Sequence, residues 1–212
     1  MKKIFRSEDI AAMPQRYRAN FINAIEGFKT LNLVGTINEA GETNLAPFNS
    51  IFHVGANPPL IGMISRPDTV DRHTLTNIKK SRVYTLNHVH SEIVDQAHQA
   101  AARYEKNESE FDTVGLTAEF INGIKAPFVK ESHIKLGLEV RQITPIELNG
   151  TILIIGEVVV IEVDDEGISE DGFIDLQLYD STTVVGLDAY YQPKKIKRLS
   201  YSKPNEVLKE IK

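Results

Sequence analysis

Apolar residues change their spacing several times along the chain, and each change marks an element. Phe21, Ile22 and Ile25 share a helical stripe that Gly27 ends, and Ser7 ahead of Glu8 and Asp9 has the chemistry of an N-cap, with Pro14 breaking or restarting the turn between them. Leu31, Leu33, Val34 and Ile37 predict a strand over 28–37, and the turn residues of 38–41 separate it from a second extended run over 44–54. Along that run Ala46, Phe48, Ser50, Phe52 and Val54 fall on one face, and Leu45, Pro47, Asn49, Ile51 and His53 on the other. Pro47 has no N–H to give a ladder, so it marks an edge or a bulge where pairing opens and backbone groups are left for a ligand.

Asn57-Pro58-Pro59 sets a bend before a short apolar run at 60–64 that suits a buried strand. Residues 66–69 then form a loop, and Asp71 can cap a helix from Arg72 to about Lys80 whose inward face is Leu75 and Ile78. A strand is predicted over 83–87. Ser91 can cap a further helix, in which Ile93, Val94, Ala97, Ala101 and Tyr104 stand at helical spacing. Residues 105–132 are polar and punctuated by Gly115, Gly123 and Pro127, and read as an excursion rather than a core element.

The last third returns to strands. Residues 134–143 alternate loosely, and 151–163 are rich in β-branched residues on both faces, as a long central strand covered on both sides would be. Asn149-Gly150 between them is a hairpin signal. A short strand is expected over 182–187, and the tail from Lys194 is polar and weakly helical. Five or six strand signals without regular βαβ alternation predict a mainly β fold, a β-barrel with helical excursions, in one domain spanning 1–212. No Gly-x-Gly-x-x-Gly follows a strand, which argues against a dinucleotide-binding doubly wound sheet.

Composition narrows the chemistry. The absence of cysteine excludes disulfides, zinc–thiolate and iron–sulfur sites and thiol redox chemistry, so any electron transfer must use a borrowed cofactor. The net charge of −5 gives little drive toward nucleic acid or an anionic membrane surface. With no apolar signal core after Met1 and no run near the roughly 20 apolar residues that span a bilayer, a cytoplasmic protein is expected.

Ser65, Arg66, Thr69, Arg72, His73 and Thr74 place hydroxyls and a guanidinium pair around a predicted helix start, where exposed amides favour an anion. The same residues would also serve as surface polars of a loop with a local cap. Asn49 and Ser50 have donors and acceptors suited to flavin carbonyls and ring nitrogens, and equally suit a strand edge. His88 and His90 would share a strand face but lack a third ligand at metal-site spacing. No Gly-x-Ser-x-Gly surrounds any serine, and the paired acids 164–165 and 170–171 stand in turn-like contexts. Tyr190-Tyr191 could cover a flat ring, close a barrel or serve an interface.

The ordered series Asn44-Leu-Ala-Pro-Phe-Asn-Ser50, the Asn-Pro-Pro bend with its apolar strand, Arg66-Pro67, His73-Thr-Leu-Thr-Asn-Ile78 and Val83-Tyr-Thr-Leu-Asn87 resembles the flavin reductase-like family, with its FMN-binding split barrel, and within it flavoredoxin-type members. Gly156-Glu157-Val158 resembles the family's closing strand, and residues 187–191 its glycine-to-tyrosine segment near the flavin. The resemblance covers about 28–165, leaving 166–212 as a C-terminal extension. It implies a homodimer with FMN near the subunit interface, held by Ala46, Pro47, Phe48, Asn49 and Ser50 and, around its phosphate, by Ser65, Arg66, Thr69, Arg72, His73 and Thr74, with Tyr191 nearby. It further implies flavin reduction by NADH or NADPH, with the reduced flavin passing electrons to a downstream acceptor and no side chain acting as acid or base. The alternatives are an FMN-binding electron carrier that does not itself oxidise a nicotinamide, and a barrel built for another cofactor such as haem or pyridoxal phosphate.

Overall fold

The run at 44–54 is two strands, and where they go decides the architecture. The computed structural model describes residues 1–70, 72–105 and 108–211. In chain order these form α1 (Ser7–Ala12), α2 (Gln15–Ile25), β1 (Lys29–Thr30), β2 (Asn32–Ile37), β3 (Thr43–Phe48), β4 (Ile51–Ala56), β5 (Pro59–Ser65), α3 (His73–Ser81), β6 (Val83–His88), α4 (Val94–Gln99), α5 (Glu110–Val114), β7 (Ala118–Glu119), β8 (Phe128–Val129), β9 (Ile134–Ile146), β10 (Thr151–Val163), β11 (Thr183–Val185), β12 (Ala189–Tyr191), β13 (Arg198–Leu199) and β14 (Glu210–Ile211). The main sheet is antiparallel in the order β3-β2-β6-β9-β10-β5-β4, so β3 and β4, consecutive in the chain, are its two edges. A flat sheet of that order would hold its edges about 29 Å apart at the ~4.8 Å strand spacing. The link from Phe48 to Ile51 reaches at most about 11 Å. The sheet therefore curls into a barrel split between β3 and β4.

Pro47 sits where it costs no ladder bond. The Leu45 amide points away from β2, donating to Glu110 Oε2 at 2.9 Å, and antiparallel alternation gives Pro47 the same outward position. On the far side of the split, Ser50 O accepts from Ile64 N at 3.1 Å and Ser50 Oγ donates to Ile64 O at 2.6 Å, which starts the β4–β5 pairing.

Inside the barrel Val34, Met63, Tyr84, Leu86, Leu138, Ile152 and Ile154 pack with Leu75 and Ile78, the inward face of α3 as the sequence predicts. Gly156 on β10 leaves room for Tyr84: a Cβ there would lie against the Tyr84 hydroxyl, 3.0 Å from its Cζ and 3.1 Å from Leu138 Cδ2. A second layer lies outside β2 and β3, where Leu33 and Leu45 meet Ile93, Ala97 and Ala100 around α4, and Phe111 and Leu116 around α5. Stretch 105–132 is thus more than a polar excursion. Its Ile124, Ala126 and Phe128 are buried as well, and Lys135, itself buried, ties it to the barrel by ion pairs of 2.6 Å to Glu119 and Glu162.

Four local expectations are corrected. Arg6, not Ser7, is the N-cap of α1, with its amide donating to Asp9 Oδ2 at 2.9 Å. Ser91 opens a 3-10 turn and its hydroxyl pairs with Asp180, while α4 ends at Gln99, so Ala101 and Tyr104 lie beyond the helix. The tail forms the β13–β14 hairpin rather than a helix. Only the first half of β10 is well covered: Val159 and Ile161 are exposed. Asp71, the expected cap of α3, lies outside the described residues, and Arg72 occupies the N-cap position without a side-chain capping bond.

Candidate functional site

The split between β3 and β4 opens into a cavity of about 500 Å³. One wall is Ala46, Pro47 and Phe48 of β3 with Asn49 and Ser50 of the link. A second is Ser65 at the end of β5, Arg66 beyond it, and Arg72, His73 and Thr74 at the start of α3. The chain reverses between β5 and α3, which brings residues seven positions apart onto one rim.

Several of these groups are held in place. Asn49 Nδ2 donates to Gly186 O at 3.1 Å, joining the link to the turn after β11. Thr74 Oγ1 accepts from Asn44 Nδ2 at 3.0 Å, and Arg72 Nε donates to Pro67 O at 3.0 Å. Neither Arg66 nor Arg72 has an ion-pair partner among the described residues. With Arg103 they set three guanidinium groups against one carboxylate, Glu110, among the described lining residues. The cavity is therefore locally cationic in a chain of net charge −5, and the α3 start adds amides aimed outward along the helix axis. Arg66, Arg72 and the α3 start together fit a phosphorylated ligand.

Glu110 is buried, and burial, the largest effect, pushes its carboxyl up from the ordinary range, against the opposing pull of the Leu45 N–H bond and of nearby His73. Two residues expected at the site are elsewhere. Thr69 is exposed and does not line the cavity. Tyr191 pairs with Thr183 on the β11–β12 hairpin and packs edge-on against Phe28, ring centroids 5.1 Å apart. Its neighbour Tyr190 bonds His98 Nδ1 at 2.6 Å instead of covering a ring.

The cavity's third wall, Ala100 to Tyr104 with Glu110, was not read from the sequence as part of the site. Its residues stand about fifty positions from the β3–β4 link and carry no motif. The signal that could have found it is Ser109-Glu110 ahead of the apolar Phe111 and Val114, a short helix start that has to pack somewhere. The histidines do not assemble a metal site: His90 Nε2 meets Glu131 O at 3.1 Å, His88 Nδ1 lies 3.4 Å from Ser181 Oγ, and no group of three metal-ligating side chains occurs among the described residues.

Residues 28–195 match the model of the flavin reductase like domain. The chain belongs to the flavin reductase-like family. That membership makes it a flavin-related oxidoreductase by family, with the split barrel described above. Among solved structures, a Shewanella frigidimarina protein assigned as a flavin reductase with split barrel domain is 48% identical, with a TM-score of 0.91 over 95% of this chain and 100% of that one. Two further structures, at 22% identity, share the fold. Nitrilotriacetate monooxygenase component B from Bacillus cereus has a TM-score of 0.82, covering 93% of this chain and 100% of that one. Flavoredoxin of Desulfovibrio vulgaris has 0.69, covering 84% and 91%. No helix among the described residues of this flavin reductase-like chain is long and apolar enough to cross a membrane.

Proposed function

We propose that this flavin reductase-like protein binds FMN in the cavity at the split and is reduced there by NADH or NADPH, as a cytoplasmic homodimer of single-domain subunits. The observation that carries the reading is the convergence of Arg66 and Arg72, both without carboxylate partners among the described residues, on the start of α3 beside an interrupted strand edge. Ser65, Arg66, Arg72, His73 and Thr74 would hold the phosphate through charge-assisted bonds and helix amides. Ala46 to Ser50 would meet the polar edge of the ring, using the outward backbone groups that the β3 edge does not spend on β2. FMN bound there would supply two-electron redox chemistry, with a downstream acceptor as the destination of the electrons. The side chains position the ring and exclude water, and none needs to serve as acid or base. Exposed Phe52 and Val54 on edge strand β4, with Val159 and Ile161 on β10, supply apolar surface for the second subunit.

The test is an FMN titration of the apoprotein followed by quenching of flavin fluorescence. Arg66→Ala should weaken binding by about 1–3 kcal/mol, the worth of a charge-assisted bond. Unchanged affinity removes Arg66 from the phosphate site, and a wild-type protein that takes up no FMN overturns the reading. Rapid bleaching of bound flavin by a nicotinamide nucleotide supports the enzyme. Reduction only by dithionite or a protein donor supports an electron carrier.

A further inference from the structure

The wall formed by Ala100 to Tyr104 has a chemistry the FMN reading does not use. Ala100 is buried in the core with Ala97 and Phe111, so the wall has a packed backing. Ala101 and Ala102 present nothing larger than a methyl group to the cavity. Arg103 is exposed and has no hydrogen bond or ion pair among the described residues, although the Glu110 carboxylate lines the same space. The Tyr104 ring is fixed, because its hydroxyl accepts from Gln99 Nε2 at 3.0 Å and donates to Gln99 O at 3.2 Å.

One phosphate is already matched by Arg66, Arg72 and the α3 start, which line the same cavity. Arg103 is a further cation, set beside a held aromatic ring and a shallow strip of alanines. That combination suits a second ligand with a flat ring and an anionic group, lying against the first. We propose that Ala100 to Tyr104 form the subsite for the reducing nicotinamide nucleotide, with Arg103 on one of its phosphates and the Tyr104 ring against one of its planar bases. The inference rests on the FMN reading and adds the place of the second ligand. Arg103 has two phosphates to choose from, the pyrophosphate common to NADH and NADPH and the 2′-phosphate found only in NADPH.

The experiment is equilibrium calorimetry of NAD⁺ and NADP⁺ binding to the FMN-loaded protein, wild type against Arg103→Ala, Arg103→Lys and Tyr104→Leu, with FMN affinity measured separately on each apoprotein. Arg103→Ala should weaken nucleotide binding about tenfold, and Arg103→Lys should restore most of it, because the loss is that of a charged contact. Tyr104→Leu should weaken both nucleotides. FMN affinity should stay within about twofold throughout. A loss confined to NADP⁺ places Arg103 on the 2′-phosphate, and an equal loss for both places it on the pyrophosphate. The proposal is overturned if wild type binds neither nucleotide, if Arg103→Ala binds both as wild type does, or if FMN affinity falls in parallel, which would assign Arg103 to the cofactor's phosphate. A wild-type protein that holds no FMN is a different failure, that of the cofactor reading, and it takes this inference with it.

Discussion

Gly156 and Tyr84 should behave as one unit, and a double-mutant cycle can show it. In Gly156→Ala the new methyl group would stand 3.0 Å from Tyr84 Cζ and 3.1 Å from Leu138 Cδ2, besides meeting the Tyr84 hydroxyl. Ordinary carbon contacts begin near 3.4 Å. Tyr84 and Leu138 are both 0% exposed, so neither can swing away without displacing the barrel core. Overpacking of this kind costs about 1–3 kcal/mol. The Tyr84 hydroxyl is buried without a hydrogen-bond partner among the described residues, and burial pushes the phenol pKa well up. Tyr84→Phe removes both the unpaired oxygen and the atom in the methyl group's way, so it should be neutral or stabilising by about 1 kcal/mol. In the Tyr84→Phe background Gly156→Ala should then cost at least about 1 kcal/mol less than alone. Urea unfolding of the four proteins, with m-values compared to confirm a common unfolded state, measures this. Additivity within about 0.5 kcal/mol, or a Tyr84→Phe variant clearly less stable than wild type, would refute the reasoning.

Two pH effects are also expected. Burial lowers the His88 pKa from 6.5 to about 4, so its neutral form is the folded one; the stability this lends is complete above the unfolded value and is lost as pH falls toward 4. The shift corresponds to about 3 kcal/mol, so between about pH 7 and pH 4 wild type should lose up to that much more stability than His88→Gln, and parallel urea-midpoint curves would count against it. Glu110 has the opposite sign: its raised pKa means stability falls as pH rises from the ordinary carboxylate value through the folded one. Glu110→Gln keeps an acceptor for the Leu45 amide, so it should gain on wild type across that window and run level above it, as chemical unfolding from about pH 4 to pH 8 would show.

The strands were legible where packing makes their pattern simple. Residues 32–37 and 134–140 bury most of their side chains, and 151–156 alternate, because their neighbours in the sheet leave little else possible. Pro47 announced an edge for the reason the fold bears out: its position faces away from β2. What did not show was that the run breaks two residues later and that its halves lie on opposite rims, since alternation continues through Asn49 and Ser50 and the cause is the order of strands elsewhere in the sheet. Helical spacing after Ser91 outruns the helix itself for a similar reason. Ala101 and Tyr104 keep helical spacing, but the chain turns after Gln99 and Tyr104 serves the cavity instead. The anion-binding rim around Arg66 and Arg72 was visible because its parts are close in sequence. The wall of Ala100 to Tyr104 was hidden because only tertiary packing brings it to the cavity.

The Asn49-Ser50 link works as a clasp on a hoop. Whatever grips its backbone also grips the two free rims, so occupancy and mechanical integrity become one variable. A molecule seated there at a hundred times its dissociation constant would raise global stability by about 2.7 kcal/mol. The melting temperature is therefore a gauge of what the cavity accepts.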